Sequence, residues 1–231
     1  MMFAAGKQLM TAQKPVPNNT KSLLHFNGAN ESTTITDECG ITWTNSGSVP
    51  LSTSTSKFGT ASLKAPTARN TFLYSNDPVF NKAGKAVFTV ECWFNGTAVA
   101  YNTIFETTIG TTTDPRPLAM VTTPSAQIQV TIGNAALSAW AVNANYGSGV
   151  TANTWHHIAV VGDGTNITVY LNGTSIYSGA HINWSSGAGY QSFGTPYYGT
   201  GQIYIDEFRY SDIARYTSNF TPPTAEFLAT G

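Results

Sequence analysis

Asn166-Ile167-Thr168-Val169-Tyr170-Leu171-Asn172-Gly173-Thr174-Ser175-Ile176-Tyr177 decides the fold class. Two alternating runs flank an Asn-Gly pair. A type I′ turn needs positive φ at both central residues, which Asn and Gly tolerate best, so the segment predicts a tight β-hairpin. Trp155 to Val161 precedes it as a partner strand. Working outward, Ala86 to Phe94 is the clearest single strand: Phe88, Val90, Cys92 and Phe94 share one face, and Thr89, Glu91 and Trp93 the other. Further runs fall at 22–26, 41–44, 58–63, 71–74, 102–107, 117–123, 126–132, 137–142 and 202–210. Residues 212–216 predict one short helical turn. Recurrent short strands with turn signals every ~8–12 residues and no helical pattern indicate a sandwich or barrel. No fixed period supports a propeller or solenoid.

Composition agrees. Charged residues make up 10% of the 231, against about 25% in an average domain. The polar surface is built instead from Ser, Thr, Asn and Gly, which suit turns and strand faces and disfavour helices. The net charge of −1 comes with no basic stripe, so neither nucleic acid nor an anionic membrane surface is an expected partner. No apolar run approaches the ~20 residues of a membrane span. The start, Met1 to Lys7, lacks the pattern of a secretory signal. Cys39 and Cys92 read as free thiols ahead of a disulfide.

Residues 1–20 differ from the rest and read as an extended N-terminal arm, with residues 21–231 as the sandwich domain. Pro15 and Pro17 forbid helix and favour a stiff extended path. Met1, Met2, Phe3, Leu9 and Met10 are apolar groups that a free arm would expose, so the arm is the expected assembly contact.

Ser22 to Gly28, Lys57 to Leu63, Phe88 to Phe94, Trp155 to Val160, Val169 to Gly173 and Ile205 to Tyr210 occur in that order. Together they resemble the concanavalin-A-like, laminin-G-like jelly-roll superfamily. The closing Ala214 to Thr224 is similar to versions in bacteriophage virion proteins. The resemblance covers residues 21–227. It implies an all-β jelly-roll of two curved antiparallel sheets with six or seven strands each. The fold implies no function by itself; with the phage-like closing segment, the arm and the Thr/Ser/Asn-rich surface, the leading expectation is a non-enzymatic virion protein, decorating the capsid or attached to the tail, with other virion proteins or further copies as partners. Such a protein is made in a host cytoplasm and located in the virion. The alternative is a lectin-like adhesion module for host-surface glycans, secreted or on a cell surface, since this fold hosts binding and structural modules alike.

No catalytic residues are expected. Glycanases need two facing carboxylates about 5–9 Å apart. In Tyr204-Ile205-Asp206-Glu207-Phe208 the two acids are adjacent, so on a regular strand they point to opposite faces. His156 and His157 are adjacent too and cannot chelate one ion together. The resemblance raises calcium, for which Asp37, Asp163 and Asp206 are the weak candidates, without a dense acidic cluster; no other cofactor is expected. Trp184, Tyr190, Tyr197 and Tyr198 fall in a Gly/Ser-rich stretch, 179–201, and read as a ligand-binding loop, because aromatic rings on loops stack on sugars or partners.

Overall fold

The computed structural model describes residues 19–65, 71–81, 84–108, 116–184, 190–195 and 201–229. It contains fifteen described strands: β1 Thr20–Leu24, β2 Thr44–Ser46, β3 Leu51–Ser52, β4 Ser62–Ala65, β5 Thr71–Ser75, β6 Val87–Gly96, β7 Asn102–Thr108, β8 Leu118–Thr122, β9 Ile128–Gly133, β10 Trp140–Tyr146, β11 His156–Asp163, β12 Asn166–Leu171, β13 Thr174–Ala180, β14 Tyr190–Thr195 and β15 Ile203–Ser211. They form two antiparallel sheets, one of eight strands (β13-β12-β11-β6-β15-β4-β3, with β1 also on β15) and one of seven (β10-β9-β8-β7-β14-β5-β2). The all-β jelly-roll sandwich is therefore present, with one strand more than the six or seven expected per sheet. Among the described residues the only helical piece is a 3-10 turn at Pro78–Phe80, which Asp77 caps by accepting the Val79 N–H. The helical turn expected at 212–216 is absent: these residues form a bend and extended chain. The arm through Asn18 lies outside the described residues, and Thr20 already belongs to β1.

The core follows from alternation. Phe88, Val90, Cys92 and Phe94 of β6 are all fully buried and meet Leu118, Met120, Val130 and Phe193 of the other sheet. Cys92 is buried and Cys39 half-buried, both as free thiols. The Asn-Gly hairpin forms as read, with φ of 51° at Asn172 and 77° at Gly173. Strand positions 51–52 and 190–195 escaped the sequence reading, and 41–43 and 58–61 are irregular rather than strand.

The outer face of the eight-stranded sheet is not open. Residues 212–229, a C-terminal strap, run across it. Tyr216 and Phe220 stack with ring centroids 3.5 Å apart and pack over Ala159, Val161 and Tyr170. Phe227 packs with Leu23 and Trp93. Beneath the strap lies a charged network. Glu91 is fully buried; its carboxylate accepts from Arg209 Nε at 2.8 Å and the Tyr216 hydroxyl at 2.8 Å, with His157 Nε2 at 3.2 Å. Burial pushes this carboxyl up, but His157, Arg209 and Tyr216 together outweigh it and hold it at about 2, below the ordinary 4.5.

Gly173 sits where the strap crosses the hairpin. A Cβ there would lie 1.9 Å from the Phe220 carbonyl, which sits beside the Phe220 N–H bond to the Gly173 carbonyl, 2.9 Å. Gly173→Ala is expected to lower stability by at least ~1–3 kcal/mol, since the left-handed backbone and the clash add. Urea denaturation checks this; an unchanged midpoint would show that the strap is loose at this point.

For Glu91 the folded value lies below the unfolded one. Its contribution is thus complete above pH 4.5 and is lost as pH falls toward 2. Glu91→Gln should lose roughly 3–5 kcal/mol at neutral pH, because it leaves a buried Arg209 charge uncompensated. Its stability should also vary less across pH 4.5 to 2 than that of the parent. Denaturation at a series of pH values tests both, and parallel pH profiles would contradict the assignment.

Candidate functional site

The strap closes one broad face of the sandwich, which directs attention to the outer face of the seven-stranded sheet. Register defines a row of cross-strand partners on it: Thr44 with Tyr74, Tyr74 with Ser192, Ser192 with Glu106, Glu106 with Ala119, Ala119 with Thr131, and Thr131 with Asn143. Directly paired residues share a face, and so do residues two apart along a strand. The same face therefore also carries Phe72, Tyr190 and Gln129.

At the β10 end of the row a shallow pocket of ≈ 60 Å³ is lined by Thr103, Arg116, Ala119, Val121, Gln129, Thr131, Trp140 and Asn143. Trp140 is half-buried; it sits at a register irregularity between Trp140 and Val142. Such a bulge re-aims a side chain. Gln129 donates from its amide to Asn143 at 2.9 Å, and Thr131 donates to the Ala119 carbonyl. At the floor, Arg116 donates to Glu106, with 6% and 2% of the two side chains exposed. At the other end Phe72 and Tyr74 lie 5.2 Å apart, and Tyr74 and Tyr190 5.4 Å. The face thus combines half-buried aromatic rings, side-chain amides that both donate and accept, and one internally neutralised ion pair.

The aromatic residues read from the sequence as one loop separate in the structure. Tyr190 is in β14 and belongs to this face. Trp184 is not a loop aromatic: it is 2% exposed, packs in the main core and donates from Nε1 to the Gly133 carbonyl at 3.0 Å. Its apolar bulk won over its Gly/Ser-rich surroundings. Tyr197 and Tyr198 lie outside the described residues, as do Met2, Phe3, Leu9, Met10, Pro15 and Pro17.

The three aspartates named for calcium are each committed to internal donors. Asp37 accepts from Ser22, the Cys39 N–H and Trp43 Nε1. Asp163 accepts the Thr165 and Asn166 N–H groups. Asp206 accepts those of Lys57, Phe58 and Glu207. A calcium ion at Asp37 or Asp206 would compete with these bonds, which use both carboxylate oxygens of each, whereas the two bonds to Asp163 share its Oδ1. Burial pushes the Asp206 carboxyl up to about 8 despite its donors.

The expectation that Asp206 and Glu207 face opposite ways fails. The β15 register shifts between Asp206 and Arg209, and Glu207 has a φ of 51°. This bulge turns the Glu207 carboxylate to the strap side, where it lies 2.7 Å from His25 Nδ1 and accepts the Phe227 N–H at 2.7 Å. Both acids are fully buried under the strap. The strap covers them and backbone or side-chain donors hold them, so they offer no open cleft for a glycosidic bond. His25, Glu207 and Glu226 are the one group of three metal-type donors among the described residues, with atoms within 4.8 Å. Both Glu207 oxygens are engaged in the bonds just named, which tie the strap to β1. The hydrogen bond to Glu207 raises the His25 pKa, against burial. His156 and His157 do face apart: His156 accepts the Thr151 N–H at 3.0 Å, and His157 lies beside Glu91.

Sequence reasoning missed Trp140, Arg116, Glu106, Gln129 and Asn143. The alternation of Gln129 and Thr131 with Ile128, Val130 and Ile132 was a usable signal for the outward positions. The Glu106–Arg116 pairing was not, since it depends on how β7 and β8 meet.

Among solved structures the chain is similar to the binding domain of Paraclostridial Mosquitocidal Protein 1 (TM-score 0.66, 13% identity, 87% of this chain and 51% of that one). It is also similar to the botulinum neurotoxin type G receptor binding domain (0.60, 13%, 86% and 49%). A third is the botulinum neurotoxin serotype D ligand binding domain in complex with N-acetylneuraminic acid (0.63, 13%, 87% and 49%). The chain spans about half the length of these proteins, and at such identity the likeness is one of fold. No curated protein matches in sequence. A family model described as the concanavalin A-like lectin/glucanases superfamily matches residues 67–218, more than half of the chain, and with the two-sheet architecture this places the protein in the concanavalin A-like lectin/glucanases superfamily.

Proposed function

We propose that this chain is a carbohydrate-binding module that holds a glycan on the outer face of its seven-stranded sheet. One observation carries the reading: the pocket that joins the Trp140 ring to Gln129, Asn143 and Thr131 on a rigid sheet. The apolar face of a sugar ring stacks on an aromatic side chain. Its hydroxyls both donate and accept, as side-chain amides and threonine do. A pocket of ≈ 60 Å³ has room for about two water molecules at their liquid volume of ~30 Å³ each. It suits a substituent of a sugar rather than an engulfed molecule.

The neighbours support this direction, since all three are named as binding domains and one is in complex with a sugar acid. Within the row, Glu106 is the lone carboxylate among the described residues and is paired with Arg116, which favours binding over glycoside hydrolysis. The virion role drawn from sequence rested partly on Ala214 to Thr224. That segment has a structural explanation as the strap, with Tyr216 and Phe220 over Tyr170. A capsid or tail location would describe where such a module is mounted.

The full chain is expected to bind members of a glycan array. Trp140→Ala should weaken the best of these at least ~5-fold, as loss of an aromatic contact of about 1 kcal/mol implies, while the urea midpoint stays within the range of a surface change. Absence of binding to any glycan, or an unaltered affinity in the variant, would overturn the proposal.

A further inference from the structure

We propose that His25, Glu207 and Glu226 form a binding site for a divalent transition ion of the zinc type, and that the ion fastens the C-terminal strap to the first strand. This site lies at the strap, apart from the proposed glycan pocket.

The three residues come from distant parts of the chain. His25 directly follows β1, Glu207 is the bulge residue of β15, and Glu226 lies in the strap. One donor atom from each, the His25 Nδ1 and a carboxylate oxygen of either glutamate, stands within 4.8 Å of the others. Glu207 is fully buried, His25 half-buried and Glu226 exposed, so an ion enters from the Glu226 side.

Charge favours a cation here. Two carboxylates face one imidazole, and among the described residues neither Glu207 nor Glu226 pairs with a lysine or arginine. Lys21 pairs with Asp212 and Arg209 with Glu91, while the Lys57 ammonium stands over the Trp93 ring. Like charges this close disfavour each other, which a dication relieves.

The ligands are also held in place. Asn27 donates to Glu226 Oε1 at 3.1 Å and accepts the Thr60 N–H at 2.6 Å. Glu207 Oε2 keeps the Phe227 N–H, and Oε1 lies 2.7 Å from His25 Nδ1. The ion takes the place of the proton in that contact; the proton passes to His25 Nε2 or to solvent. Two ligands of a tetrahedral zinc stand roughly 3.3 Å apart. The His25–Glu207 contact therefore opens by about half an ångström, and the exposed Glu226 side chain swings in. A cavity of ≈ 60 Å³ borders His25 and Asn27, lined also by Thr34, Thr36 and Glu38. It has room for about two waters, one of which completes the fourth position.

An imidazole nitrogen with two carboxylates suits zinc, whereas calcium asks for six to eight oxygens. Of the four histidines, only His25 is available. The His156 ring meets the Thr151 N–H and the Asn172 amide, the His181 ring meets the Ile182 and Ala86 carbonyls, and His157 is fully buried beneath the strap.

The test is isothermal titration calorimetry and thermal melting of the full chain, first dialysed against a chelator, with zinc, calcium and magnesium chloride. One zinc per chain should bind at least ~10-fold more tightly than calcium or magnesium. At 100-fold excess over its Kd, zinc should raise the Tm by roughly 5–10 °C. Glu226→Gln, at an exposed position, should leave the metal-free Tm unchanged and weaken zinc at least ~10-fold, and His25→Ala should weaken it as much. Should either variant fail to fold, paramagnetic Co²⁺ added to the isotope-labelled parent chain decides: it should broaden first the amides around residues 25, 207 and 226. Absence of zinc binding, undiminished binding in the folded variants, tighter binding of calcium, or broadening centred elsewhere would each overturn the proposal.

Discussion

The buried contact between Glu91 and Arg209 constrains the rest of the molecule. A carboxylate in the middle of β6 and a guanidinium on β15 face each other on the outside of the eight-stranded sheet. Neither could be left in an apolar environment alone, and both are withdrawn from water. The strap makes this tolerable. Tyr216 supplies a further donor to Glu91, and the Tyr216–Phe220 stack shuts out solvent. The pair therefore requires the strap, and the strap covers that face over Ala159, Val161, Tyr170, Leu23 and Trp93.

The bulge in β15 completes the closure. Without it Glu207 would take the core-facing position that Phe208 fills. With it, Glu207 collects the Phe227 N–H and His25, and Asp206 fastens the loop at Lys57 and Phe58. One irregular position thus ties together β1, the 57–58 loop and the end of the chain. Acidic residues that look like half of a catalytic pair turn out to be fasteners. On the opposite sheet Trp140, Gln129 and Asn143 remain partly or fully exposed around the pocket, while Ser192, Glu106, Ala119 and Thr131 along the row are buried.

Much of the architecture was legible because period-two alternation and turn chemistry act locally. Phe88 to Phe94 and the Asn172-Gly173 hairpin were readable for that reason. Where the reading failed, a distant contact had decided. Glu207 leaves its regular orientation because of a bulge that only pairing with β6 defines. Trp184 looks exposed in its Gly/Ser-rich neighbourhood, yet it fills core space beside His181 and bonds to Gly133. Residues 190–195 resemble a loop in composition but gain strand geometry from β5 and β7 on either side. The candidate site was the least legible part. Its residues come from all seven strands of the sheet and their flanks, and what unites them is a register row, which no single segment encodes. Tyr190 was singled out for its aromatic ring and does reach this face, though as part of a strand.

The central claim is that ligands meet the seven-stranded sheet and not the strap-covered one. Amide chemical-shift mapping of the isotope-labelled full chain, titrated with the glycan that binds best on the array, tests it most directly. The account predicts shifts gathered along Tyr74, Ser192, Ala119, Thr131, Asn143 and Trp140, with Phe220 and Phe227 unmoved. Shifts centred on the strap, or on the bulge at Glu207, would contradict it.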